Sequence, residues 1–146
     1  MMKKLALATL AALSLTGPAL AQETPETLVT VLTAPEPQTQ LMAMVLAMQA
    51  AKQGAAPHIL LCGPAADIAL KEAPETATAP QPPRDMSPRG LMSKIAALPG
   101  AKVEVCAIYL PSKGADASIL MQGVGVANPK EMAAALIAPN ARVTSY

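Results

Sequence analysis

The sequence predicts an α/β fold: a three-layer α/β/α sandwich around a mainly parallel sheet of about five strands. Three observations lead there. Short apolar segments rich in β-branched residues alternate with helix-forming segments from residue 27 to residue 145. The strand segments are apolar on both faces instead of alternating, as strands covered on both sides must be. Pairs such as Gly63-Pro64 and Pro99-Gly100 punctuate the segments and mark where one element gives way to the next.

Residues 22–26 form a polar leader, and residues 27–33, TLVTVLT, read as a central strand. Pro35 and Pro37 mark a loop before residues 41–52, LMAMVLAMQAAK, a run of strong helix formers with Gly54 placed to cap it. Residues 58–62, HILLC, are a second buried strand, opened by Pro57 and closed by Gly63-Pro64. A short helix is expected over 65–72, stopped by Pro74. Residues 74–86 carry Pro80, Pro82 and Pro83 and read as a mobile Pro-rich connection.

Ser87-Pro88 is an N-cap followed by proline at the first helical position, so a helix should run to Leu98. Residues 102–108, KVEVCAI, are the third strand. A short helix over 115–122 and a fourth strand over 124–127 come next. Asn128-Pro129-Lys130-Glu131 repeats the helix-start signal for a helix over 129–138. Residues 141–145 are the last strand.

The first segment belongs to targeting and not to the fold. Lys3 and Lys4 precede an apolar run over 5–15, Gly17-Pro18 breaks it, and Ala19-Leu20-Ala21 is a cleavage signal. The sequence therefore divides into a signal peptide, 1–21, cut after Ala21, and one domain, 22–146. The expected destination is the periplasm, with no membrane association once the signal is removed and no later run long enough to span a bilayer. Without Lys3 and Lys4, nine Lys and Arg face ten Asp and Glu, a formal charge of −1. No basic block and no aromatic platform remain, since the aromatic residues are Tyr109 and Tyr146, and nucleic-acid binding is excluded as a reading.

Chemistry is expected beyond the carboxyl ends of the strands, where ligands gather in open parallel sheets. Both cysteines fall there, Cys62 closing the second strand and Cys106 late in the third. The helix start after Gly63-Pro64 would favour a Cys62 thiolate, and the turn Ser112-Lys113-Gly114 lies near Cys106. Glu104, two residues before Cys106 on the same strand face, would disfavour a thiolate there. A disulfide depends on strand order: neighbouring second and third strands put the two Cα atoms about 5 Å apart, whereas an intervening first strand separates them by roughly 10 Å. The local pattern leaves both orders open.

Other candidates read as structural. His58 and Cys62 are about 13 Å apart along a strand, too far to share a metal, and His58 reads as a strand-end residue. Met44 and Met48 share a helix face as core residues would, and no metal site is expected. Lys52, Asp67, Asp116 and Arg142 show no partner in the sequence and read as solvated charges. Gly123 and Gly125 lack the third glycine of a dinucleotide loop, and one histidine supports no catalytic triad.

The segments VEVCAIYLPSKG (103–114), ILMQGVGVANPKEMAAAL (119–136) and MVLAMQAAKQGAAPHILLCG (44–63) resemble the DsrE/DsrF-like family of small α/β sulfur-relay proteins. The resemblance implies a three-layer α/β domain that assembles into homo-oligomers and works without a metal or organic cofactor. It implies a late-strand cysteine that accepts sulfur as a persulfide, a position Cys106 occupies, and a donor or acceptor protein as partner. Gly114 matches a glycine that follows that cysteine, usually after arginine. Lys113 stands in the arginine's place, keeping the charge without the bidentate fork. With Cys62, these residues form the expected site. The alternative from another class is a non-catalytic oligomeric binding or assembly module whose cysteines are structural.

Overall fold

All five segments expected as strands become strands of one sheet. The computed structural model describes residues 26–146, so the expected signal peptide and its cleavage point lie outside the described residues. The strands are β1 (Thr27–Leu32), β2 (Ala56–Leu61), β3 (Lys102–Val105), β4 (Gly125–Val126) and β5 (Ala141–Ser145), in spatial order β4-β3-β2-β1-β5. Every neighbouring pair is parallel. The helices are α1 (Pro37–Lys52), α2 (Glu75–Thr78), α3 (Pro88–Ala96), α4 (Tyr109–Ser112) and α5 (Pro129–Leu136).

The layers result from the order of the steps. From β1 to β4 the chain moves one strand at a time in one direction, so right-handed crossovers place α1 and α3 on the same face. The step from β4 to β5, beyond β1, runs the other way and carries α5 to the opposite face. The α1/α3 face holds the larger core: Leu32, Ile59, Leu61, Val103 and Val105 of the sheet pack with Leu41, Met44, Met92 and Ile95. Leu32, Met44, Ile59, Leu61, Met92 and Ile95 are fully buried, each stabilising the fold by roughly 1.5–3 kcal/mol. Met44 therefore packs on the sheet, whereas Met42 faces solvent.

The other face is thinner. Its core is Val29, Leu60, Ala127 and Met132, with Cys62, Cys106, Ala135 and Leu136 against it. Met132 is the one buried residue of α5. The three layers expected from the sequence are present and unequal, and the cysteines lie on the lightly covered side.

Capping chemistry sets the helix ends. Ser87 Oγ accepts from the Gly90 N–H at 3.1 Å, and Asn128 Oδ1 accepts from the N–H groups of Lys130 and Glu131 at 2.9 and 3.3 Å. At the end of α1, Gly54 takes φ +96° while its N–H and that of Ala55 bond back to Ala51 and Ala50. This left-handed cap closes the last turn.

Several boundaries differ from expectation. α1 begins at Pro37 instead of residue 41, because proline at the first turn loses no helical hydrogen bond. The helices expected over 65–72 and 115–122 are 3-10 turns, Gly63–Ala69 and Ala117–Ile119. The Pro-rich connection contains α2 and an isolated bridge between Gln81 and Met86. The Arg89 guanidinium donates to the carbonyls of Leu70 and Lys71, tying the start of α3 to the chain before that connection.

Candidate functional site

The strand order decides the question that the two cysteines raise. β2 and β3 are neighbours, with Leu61 in register with Val105. Each cysteine backbone is held by the strand beside it, since the Cys62 N–H donates to Leu32 O of β1 and the Cys106 N–H to Leu61 O of β2, both at 2.9 Å. Residues in register on parallel strands point to the same face. Cys62 and Cys106 therefore meet side by side on the α5 face, with Cα atoms 5.1 Å apart, and are joined by a disulfide. Both are partly buried and close the carboxyl edge of the sheet.

The segments leaving the two cysteines hold the pair in place. β3 ends at Val105, three residues short of the expected strand, because Cys106 O accepts from the Tyr109 N–H at 2.9 Å and the chain turns into α4. After Cys62 the chain enters the Gly63–Ala69 turn, which carries Asp67. The Tyr109 hydroxyl donates to Asp67 Oδ1 at 2.6 Å, and Lys113 Nζ lies 3.0 Å from the same oxygen. Lys113 also sits 5.1 Å from the Tyr109 ring centroid, in cation–π range. Burial first, then the hydrogen bond to Asp67 and its negative charge, hold the Tyr109 phenol well above its ordinary value, so it remains a donor.

Three expected solvated charges have partners. Asp67 is the acceptor just described. Asp116 accepts from the Ser118 N–H at 2.7 Å, which holds its carboxyl below the usual carboxylate value, and Arg142 meets Glu26 at 2.9 Å. The expected binding pair also has a local task. Lys113 turns to Asp67 and Tyr109, and Gly114, at φ +63°, ends α4 with its N–H on Pro111 O and the Ala115 N–H on Leu110 O. A Cβ at Gly114 would meet nothing, so the backbone conformation, not close approach, selects glycine there.

Glu104 shares the cysteine face, but its carboxylate is engaged elsewhere. His58 Nε2 lies 2.7 Å from Glu104 Oε2, and His58 is an almost fully buried member of β2, not a strand-end residue. The pair lines a cavity of about 230 Å³ toward the amino ends of the strands, with Thr27, Lys102, Glu131 and Met132. Only the strand order brings residues 58 and 104 together, so no local pattern could have disclosed this contact. A larger cavity, about 800 Å³, lies between α1 and residues 81–86 and contains neither cysteine. Among the described residues, no three His, Cys, Asp or Glu side chains gather as metal ligands, and no helix is long and apolar enough to cross a membrane.

A parallel sheet in this order, with a cysteine pair at its carboxyl edge, can be set beside known structures. The fold is shared. The chain superposes on the ychN protein from E. coli with a TM-score of 0.63 at 17% identity, covering 83% of this chain and 99% of that one. It superposes on MTH1491 from Methanobacterium thermoautotrophicum, a protein of unknown function, with a TM-score of 0.58 at 11% identity, covering 84% and 100%. Both neighbours have the DsrE/DsrF-like fold. No protein-family model matches the sequence, and no curated protein matches it significantly.

Proposed function

We propose that this chain is an exported DsrE-like sulfur carrier in which reduced Cys106 holds sulfane sulfur as a persulfide. The observation that carries the reading is the position of Cys106: a partly exposed thiol position at the carboxyl end of a central parallel strand, on the thinly covered face. The Cys106 thiolate attacks a sulfane sulfur of a polysulfide or persulfide. A new S–S bond forms, the donor's S–S bond breaks, and the donor fragment leaves with the electron pair. The residues present suffice for that exchange, because a thiolate is its own nucleophile. A homo-oligomer and a protein donor or acceptor fit the same reading, as does export, for which N-terminal sequencing of the mature chain should begin at Gln22.

The direct test is intact mass. Reduced Cys62→Ser protein, in which no second thiol can displace the added sulfur, should gain the mass of one sulfur atom with polysulfide, and the same protein also carrying Cys106→Ser should not. An adduct that persists without Cys106, or none in either protein, removes the proposal.

The disulfide itself supports a second reading, a binding or assembly module in which the Cys62–Cys106 bond is a staple between β2 and β3. That reading expects thiols that, once reduced, take up no sulfur.

A further inference from the structure

We propose that Cys62 is the resolving thiol for a Cys106 persulfide, so that the site releases the carried sulfur as hydrosulfide and closes the disulfide seen in the structure. This rests on the persulfide reading of Cys106. The chain has two cysteines, so an intramolecular second thiol can only be Cys62.

The geometry favours the step independently of the bond between the sulfurs. The Cys62 N–H bonds to Leu32 O of β1 and the Cys106 N–H to Leu61 O of β2, so both cysteine backbones are held by the sheet. Beyond them, the Tyr109–Asp67 hydrogen bond and the Asp67–Lys113 ion pair tie the segment leaving Cys106 to the segment leaving Cys62. None of these contacts passes through the sulfur atoms. The two thiols therefore stay on adjacent strands, at Cα atoms 5.1 Å apart and pointing to one face. Such placement turns a bimolecular exchange into an intramolecular one.

The step balances without an added oxidant. The Cys62 thiolate attacks Cys106 Sγ, a Cys62–Cys106 bond forms, and the bond from Cys106 Sγ to the outer sulfur breaks. The outer sulfur leaves as HS⁻ with the electron pair. Sulfane sulfur is thereby reduced to sulfide while two thiols are oxidised to a disulfide. Return to the reduced form requires thiol–disulfide exchange with a dithiol reductant, which ends as the disulfide. The protein would thus stand between a reaction that produces sulfane sulfur and one that consumes sulfide.

The test uses the mature chain, reduced and freed of reductant, mixed with glutathione persulfide, whose leaving group is a thiol. Hydrosulfide release and intact mass are followed in the wild type, Cys62→Ser, Cys62→Ala and Cys106→Ser. The wild type should release about one hydrosulfide per chain and finish as the disulfide, as intramolecular resolution requires. Both Cys62 variants should keep one added sulfur on Cys106, with release slowed roughly tenfold or more. A wild type that keeps its added sulfur as long as the Cys62 variants overturns the resolving role and leaves the carrier reading standing. Cys62 variants that never gain sulfur overturn the carrier reading itself. Should both variants fail to fold, alkylation of the wild type at early times decides. A persulfide that appears and decays as hydrosulfide rises supports resolution, and one that does not decay excludes it.

Discussion

Reducing the Cys62–Cys106 bond should destabilise the fold by a calculable amount. The two residues are 44 apart in sequence. A cross-link closing a loop of that length removes unfolded-state entropy corresponding to about 4 kcal/mol at 25 °C. The native state should change little, because the β2–β3 ladder and the Tyr109–Asp67 contact do not depend on the bond. The loss therefore falls on the unfolded side of the equilibrium. For a domain of this size, 1 kcal/mol moves the melting midpoint by roughly 4 °C, so reduction should lower it by roughly 15 °C. The assay is thermal denaturation of the mature chain with and without a phosphine reductant, with thiol titration confirming the redox state at each end. The oxidised protein should show no titratable thiol and the reduced protein two. A midpoint that shifts by less than about 3 °C between those two states would refute the entropic account of the cross-link. Two free thiols in protein purified without reductant would refute the pairing.

Three further outcomes rest on single contacts. Tyr109 holds its proton above its ordinary value of 10.0, so its contribution is complete below that pH and fades as pH rises past it; the melting difference between wild type and Tyr109→Phe should shrink above about pH 10, and a constant gap would contradict this. His58→Ala leaves the Glu104 carboxylate without its partner beside a small cavity and should cost roughly 1–3 kcal/mol in urea denaturation, whereas Glu104→Gln, which still accepts from His58, should cost clearly less. Gly114→Ala forces a side chain into φ +63° and should cost about 1 kcal/mol while leaving Cys106 alkylation rates unchanged; a loss of reactivity without a loss of stability would give Gly114 a ligand-binding task instead.

The sequence disclosed what local physics determines. The five strands, the Ser87 and Asn128 caps and the Gly54 helix end each depend on a few adjacent residues, and each appears where expected. The end of β3 did not. Ile108 and Tyr109 have strand-forming side chains, yet Ile108 is exposed and Tyr109 begins α4, because its hydroxyl finds Asp67 across 42 residues of chain. For the same reason Asp67 looked like a solvated charge and Glu104 like a neighbour hostile to a thiolate. Both carboxylates have partners supplied by the order β3-β2-β1, which no segment encodes alone. The cysteine pair is the clearest case, since both residues were visible as candidates and only adjacency of β2 and β3 makes them one site.

That adjacency also sets the direction in which the proposed chemistry runs. Stability and bond formation are linked: if the disulfide stabilises the fold by about 4 kcal/mol, the fold favours the disulfide over the unfolded chain by the same amount, roughly a thousandfold. A persulfide on Cys106 would face this bias from a thiol on the next strand, so release of hydrosulfide becomes the downhill half of the cycle. Regeneration by an external dithiol then becomes the uphill half, and it should be the slow one. Loosening the clamp should shift that balance. Asp67→Asn weakens the charge that holds Lys113 and the acceptor that holds Tyr109, so disulfide closure should slow and reduction should become easier together. Reduction measured against a graded dithiol buffer reads this directly. An Asp67→Asn protein that melts lower but keeps the wild-type redox equilibrium would show that the clamp supports the fold without steering the cysteines.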